Sequence, residues 1–443
     1  MKRRHMTPAR LIALGFLAII LVGTGLLMLP VASKGAPAGF LDALFTSTSA
    51  TCVTGLIVRD TFTGWTLFGQ LVILSLIQVG GLGLMTMFTL LSFALGKHLG
   101  LYNRKVLMQS AGTISLNGIG RLIRRIIPFS FVFELLGAAL LAIRFVPQFG
   151  WVRGCWFSLF HAVSAFCNAG FDLMGVRAPF SSLTAYCNDP LVSLTVCALI
   201  VVGGLGFLVW RDIAVNGLRF SKYQLHTKLV LTTTGILLLG GWILFFFFER
   251  DASMAGMTVP QRLLASFFQS VTTRTAGFNT VDLTKLSESG NLLSDLLMLV
   301  GGSPGSTAGG IKTTTLAILL LALRAAFTSD HQVHCFGRRI PAQVITRTLV
   351  VSVLYGTLFL VASMALIQLE PVTMEEALFE CASAIGTVGL TLGITPELGA
   401  VSKGILILLM YLGRVGGLTL VYAVSGTGKR LHYTLPEESI GIG

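Results

Sequence analysis

Residues 382–390 read ASAIGTVGL. They close a short apolar run near 373–384 that opens on Thr373-Met-Glu-Glu376, the spacing of a helix-capping box. The run is too short to cross a bilayer, which takes about 20 apolar residues. One half-length helix ending in glycine would be an ordinary capped helix end. Three other stretches end the same way. TSTSATCVTGL (46–56), HAVSAFCNAGF (161–171) and QSVTTRTAGF (269–278) each close on a glycine followed by Leu or Phe. The glycines Gly55, Gly170, Gly277 and Gly389 are 115, 107 and 112 residues apart. Four copies at nearly equal spacing are an internal repeat.

Eight longer apolar stretches flank these half-spans, near 11–30, 66–96, 122–146, 189–210, 228–248, 291–325, 344–369 and 403–424. Half-spans lie near 40–50, 154–166, 260–272 and 373–384. The order is span, half-span, span, four times over. Each unit holds two crossings, so successive units share one orientation, which excludes an inverted-repeat transporter. The expected units are 1–110, 111–220, 221–332 and 333–443. The expected fold is an all-α polytopic membrane protein with eight transmembrane helices, four re-entrant pore helices and pseudo-fourfold symmetry. Composition agrees: charged residues are 12% of the chain, against about 25% in a soluble domain.

A net charge of +13 would suggest nucleic acid in a soluble chain, but its placement points elsewhere. Five segments (2–10, 97–125, 211–228, 324–347 and 429–430) hold 20 of the 32 Lys and Arg residues. By the positive-inside rule they are cytoplasmic, which puts both termini inside and leaves no nucleic-acid partner. The opposite segments hold 14 of the 19 acids, a mildly acidic mouth that would concentrate cations. Seven cysteines (52, 155, 167, 187, 197, 335 and 381) form no Cys-x-x-Cys and read as small buried packing residues.

Capping chemistry at Thr373 and at Thr258-Val-Pro260-Gln261 starts the half-helices on the outer side. Their C-termini then point at the membrane centre, where the negative end of the helix dipole favours a desolvated cation. Thr387-Val388-Gly389 is also the first half of a potassium-channel filter, in which rings of backbone carbonyls replace the ion's hydration shell. No Tyr-Gly follows it. The candidate ion-binding residues are the four triplets Val53, Thr54, Gly55; Asn168, Ala169, Gly170; Thr275, Ala276, Gly277; and Thr387, Val388, Gly389. Backbone oxygens do the coordinating, and the absence of serine at the glycine positions favours potassium over sodium.

A second recurring element reads IQVGGLGLM (77–85), LIVVGGLGFL (199–208), LVGGSPGSTAGGIKTTT (299–315) and LGRVGGLTL (412–420). A Gly-Gly pair in a membrane helix first suggests close helix packing. The third copy must instead break its helix, and non-helical backbone at that depth belongs inside protein or along a water-filled path. Gly305, Ser306, Thr307, Gly309, Gly310, Lys312 and Arg414 are the candidate gating residues. Lys312 would hold the loop closed or donate to its carbonyls, unless it snorkels to the cytoplasmic side. Arg414, which would repel ions unless turned toward the loop, suits a gate or electrostatic barrier. Glu134 reads as the only intramembrane acid and calls for a partner. GTGKR (426–430) lacks the upstream glycine and the Ser/Thr of a phosphate loop, and no catalytic constellation stands out. No enzyme is expected.

These motifs together resemble the potassium-uptake superfamily of TrkH, KtrB and plant HKT proteins over the whole chain. The four filter glycines, the GGSPGSTAGGIKTTT loop and the Arg of the last span carry the likeness, and the length is closer to the KtrB branch. The resemblance implies potassium uptake at the bacterial cytoplasmic membrane, with potassium as substrate and sodium as a candidate activator. It further implies a gating loop at about 303–314, a homodimer in membrane lipid with the C-terminal carboxylate of Gly443 near its interface, and a KtrA-type RCK ring in the cytoplasm. ATP or ADP would act only through that ring. Two alternatives stand beside this reading: a TrkH-like or HKT-like sodium–potassium transporter, and a non-conducting receptor or assembly subunit.

Overall fold

The computed structural model describes residues 8–83, 119–328 and 332–416. Short turns apart, its helices are α1 Pro8–Leu27, α2 Phe40–Cys52, α3 Leu67–Leu82, α4 Ile119–Phe149, α5 Trp151–Phe166, α6 Pro190–Leu205 and α7 Phe207–Asn216. They continue as α8 Leu225–Phe248, α9 Val259–Thr272, α10 Glu288–Leu299, α11 Thr313–Phe327, α12 Ala342–Leu369, α13 Met374–Gly386 and α14 Ala400–Val415. A two-stranded hairpin, His334–Cys335 with Arg338–Arg339, precedes α12.

Four helices, α1, α4, α8 and α12, are long and apolar enough to cross a membrane unbroken. They expose Leu21, Leu135, Ile236 and Val353. A helix can leave such residues uncovered where lipid is the solvent, because its backbone is already satisfied within the segment.

The inner crossings are interrupted. At Gly206 the chain turns by 93° between α6 and α7. α3 and α14 end at Gly83 and Gly416, which adopt the same conformation as Gly206, with φ of 84°, 89° and 91° and ψ of 137°, 134° and 146°. That region strongly favours glycine. The third inner crossing is non-helical from 300 to 312 and resumes at Thr313. The break is therefore a little earlier than the 303–314 expected, because Thr313 and Thr314 already turn as helix.

α2, α5, α9 and α13 are the half-span helices. Capping boxes start α9 at Thr258 and α13 at Thr373, as their spacing predicts. Each of the four packs against its own long outer helix. Each also meets the inner helix of the preceding unit: α5 meets α3, α9 meets α6, α13 meets α10, and α2 meets α14. That last contact joins the two ends of the described chain and closes the helices into a ring. At the centre the burial pattern is inverted: all seven residues Thr46–Cys52, polar ones included, are buried.

Candidate ion-conduction pathway

The four half-helices deliver their glycines to one place. A side-chain carbon added to Gly55 would lie 2.5 Å from the Ala169 carbonyl oxygen, and one on Gly170 would lie 2.7 Å from that of Ala276. On Gly277 and Gly389 it would run into the Val388 and Thr54 carbonyls, closer still. Each glycine thus abuts the carbonyl just before the next glycine, and the fourth returns to the first. All four have positive φ: 98°, 69°, 81° and 95°. Glycine is required on both counts, approach and dihedral.

Sequence reasoning missed the conformation two residues earlier. Val53, Asn168, Thr275 and Thr387 are left-handed, with φ of 57°, 59°, 67° and 53°. Asn tolerates that region, but β-branched Val and Thr are outliers there. Nothing in those residue types signals it; only the tertiary surroundings impose it. Strain of this kind persists where the structure around it over-determines the backbone.

Two features hold each strand. The N–H before the glycine bonds back to its pore helix: Thr54 to Ser49 O at 2.8 Å, Ala169 to Ser164 O at 2.7 Å, Ala276 to Thr272 O at 3.0 Å and Val388 to Ser383 O at 2.8 Å. In the first and fourth strands the glycine N–H also donates to Ser49 Oγ and Ser383 Oγ, each at 3.0 Å. With the N–H groups engaged outward, the carbonyls can face the axis. The residue after each glycine (Leu56, Phe171, Phe278 or Leu390) is fully buried. Burying such a side chain is worth about 1.5–3 kcal/mol, which explains why the repeat always ends in Leu or Phe.

The non-helical segment 300–312 lies against this ring, beside Asn168, Thr275 and Thr387, and Arg414 links it to Gly80. Ser303 N and Thr307 N donate to Gly204 O and Gly203 O at 3.0 and 3.3 Å, and Gly305 O accepts Phe207 N at 2.9 Å. Thr307 Oγ1 and the Asn168 amide are 3.2 Å apart. Gly309 packs so closely on the Thr387 hydroxyl that a side chain there would overlap it, and Gly310 faces Gly386 O. Ser306 N donates within the loop to Ser303 O. Lys312 Nζ donates to Ala308 O at 2.7 Å and Gly309 O at 3.1 Å. Arg414 donates to the carbonyls of Thr307 and Gly80.

The structure changes the register of the inner-helix glycines. Gly80, Gly203 and Gly413 are the equivalent positions, since each faces the carbonyl four residues before its filter glycine: Thr51, Phe166 and Ile385. Aligning Gly416-Gly417 with Gly80-Gly81, as the spelling invites, is off by three. Gly416 instead matches the breaks at Gly83 and Gly206. Arg414 therefore occupies the place of Gly81 and Gly204, and the close packing expected of those pairs is real.

A third basic residue, which the sequence pattern does not single out, joins Lys312 and Arg414 at the loop. Arg274, inside TTRTAGF, is 7% exposed and donates through Nη2 to Gly301 O at 3.2 Å. It ties the strand that ends at Gly277 to the start of the loop and lines a small cavity with Thr234 and Gly302. Its position between a pore-helix end and a filter glycine was the available signal. Glu134 has its partner, since Gln78 Nε2 donates to it at 2.9 Å. It is not the only buried acid within these helices: Asp295 on α10 and Glu380 on α13 are buried too. Both are among the 14 acids that the charge pattern assigns to the outer side. Five of the cysteines are buried and all seven are unpaired, with Cys155 exposed and Cys335 half-buried. Gly443 lies outside the described residues.

A ring of strand ends on half-helices, capped by a non-helical loop inside a polytopic bundle, defines a membrane cation transporter and not an enzyme. The family model described as "Cation transport protein", TrkH, matches residues 2–428, and the chain belongs to that family. It is 43% identical over 450 residues to the potassium/sodium uptake protein NtpJ of Enterococcus hirae, covering 100% of this chain and 98% of that protein. It is 41% identical to the Ktr system potassium uptake protein B of Bacillus subtilis, over 96% of this chain and 94% of that one. The potassium transporter TrkH of Vibrio parahaemolyticus superposes with a TM-score of 0.75 at 17% identity, covering 97% of this chain and 87% of that chain. That likeness is one of fold.

Proposed function

We propose that this chain carries potassium into the cell through the ring at Gly55, Gly170, Gly277 and Gly389, with segment 300–312 as its gate. The observation that carries the reading is the closed cycle in which each glycine abuts the carbonyl before the next. Uptake is driven at least by the membrane potential, worth about 2.3 kcal/mol per charge per 100 mV. Potassium as the ion is supported by the names of the relatives and by glycine at all four ring positions.

Finer features belong to the same reading. The chain sits in a bacterial cytoplasmic membrane with both termini inside, as the basic segments argue. It divides into four units near residues 110, 220 and 332. It works as a homodimer with a cytoplasmic nucleotide-binding ring of KtrA type, through which ATP or ADP reaches the gate, and sodium activates it. The word "system" in the names of the Ktr relatives supports a multi-component assembly.

Expression in potassium-requiring cells, with and without a KtrA-type partner, tests the proposal. Growth and rubidium uptake should be rescued and then lost in Gly389→Asp, with the protein still in the membrane. Failure of rescue even with the partner would overturn it. The name of NtpJ keeps a sodium–potassium transporter as a second reading; sodium entry unaffected by potassium would favour that one.

A further inference from the structure

Most acids on the side where the pore helices start are engaged by the protein itself. Asp60 accepts the N–H groups of Thr63 and Phe180, Asp172 that of Met174, and Asp189 those of Leu191 and Val192. Glu249 accepts Ser253 and Ser287, and Glu370 accepts Gly399 and Ser402. These carboxylates fasten loops and helix ends.

The contact between α10 and α13 is different. Asn291 and Asp295 lie one turn apart on α10, on the same face, and both are 6% exposed. The Asn291 amide nitrogen donates to Glu375 in the first turn of α13, and the charge of Glu375 reaches Asp295. Yet Asn291 Oδ1 and Asp295 Oδ1 are buried with no hydrogen-bond partner. Two buried orphan oxygens beside a second carboxylate are costly: a buried polar group left unmade costs about 1–3 kcal/mol, more when charged. A cation among them removes that cost.

We propose that Asn291, Asp295 and Glu375 form a site for a hard metal cation, separate from the filter and reached past the half-buried Glu375. The donors are all oxygen, the chemistry hard cations take. Among the described residues no group of three or more His, Cys, Asp or Glu could hold a metal, so a tight transition-metal centre does not compete. With three protein oxygens and water completing the shell, the site suits an abundant ion, sodium or calcium. It would clamp the third inner helix, which leads into the gate, to the fourth pore helix, which leads into the filter. That it opens outward rests on the orientation proposed above.

The full chain, purified in detergent, is melted in saturating potassium while sodium or calcium is raised at constant ionic strength. Wild type should melt higher with one of the two ions, by mass action on the folded state. Asp295→Asn and Glu375→Gln should lose that rise while keeping the rise with potassium, which reports a folded filter. If Asp295→Asn does not fold, Glu375→Gln decides alone. A sodium or calcium response unchanged in the folded variants, or absent from wild type, overturns the site. Absence of the potassium response alone counts against the filter reading and leaves the site standing.

Discussion

Arg414 on α14 donates to the carbonyl of Thr307 at the middle of the non-helical segment, and with its other nitrogen to Gly80 on α3. One guanidinium thereby joins the last inner helix, the first inner helix and the non-helical loop against the glycine ring. Five donors in a rigid fork suit this bridge, where a lysine would be a point charge.

Arg414→Gln should therefore open the gate. Leaving the Thr307 carbonyl without its donor costs the closed state about 1–3 kcal/mol, while Gly80 O keeps the N–H of Gly83, and about 1.4 kcal/mol is tenfold in an equilibrium. Basal rubidium flux in proteoliposomes without any partner should rise about tenfold or more, and Arg414→Lys should recover only part of the closure. Equal flux in wild type and Arg414→Gln would remove the residue from the gate.

Lys312 closes the loop on itself through Ala308 and Gly309. Lys312→Ala, and separately removal of 304–311, should raise basal flux and weaken its dependence on the cytoplasmic partner. The deletion should have the larger effect, since it also empties the space against Thr387. If both variants conduct as wild type does, segment 300–312 is a packing irregularity.

Arg274 holds Gly301 from the filter side. Arg274→Met should free the start of the loop and raise basal flux while the melting temperature falls. Arg274→Lys should restore stability more fully than closure, because it keeps the charge and loses the geometry. A parallel recovery of both in Arg274→Lys would mean that only the charge matters.

Thr387 sits at a φ of 53°, which costs about 1–3 kcal/mol in a β-branched residue. Thr387→Gly relieves that strain and loses a small buried side chain, so stability should change little. Selectivity should suffer, because a free glycine no longer fixes the carbonyl ring. Competition of sodium with rubidium uptake reads this directly, and unchanged selectivity would make the left-handed conformation a by-product of chain direction.

Several elements were legible in the sequence. The half-helices follow from run length and capping, and the four glycines that meet at the centre from recurrence. The broken third inner helix follows from a composition that no membrane helix sustains. Less legible was the Gly-Gly register: glycines look alike along a line, and only the approach of Gly413 to Ile385 O shows which one meets a pore helix. Arg274 was hidden in the same way, since a basic residue near a filter motif resembles any loop cation until its burial is known.

Local rules therefore determined that four half-helices exist, where each ends and which glycine follows it. They act over one turn or one helix, within the reach of composition and spacing. Only the tertiary structure decided that the four strands close on one another through Gly389 and Thr54, that Val53, Asn168, Thr275 and Thr387 turn left-handed, and that Arg414 finds Gly80. Those are contacts between residues as many as 335 positions apart. They depend on how the helices pack around a common axis, and the energies of single residues do not contain that arrangement.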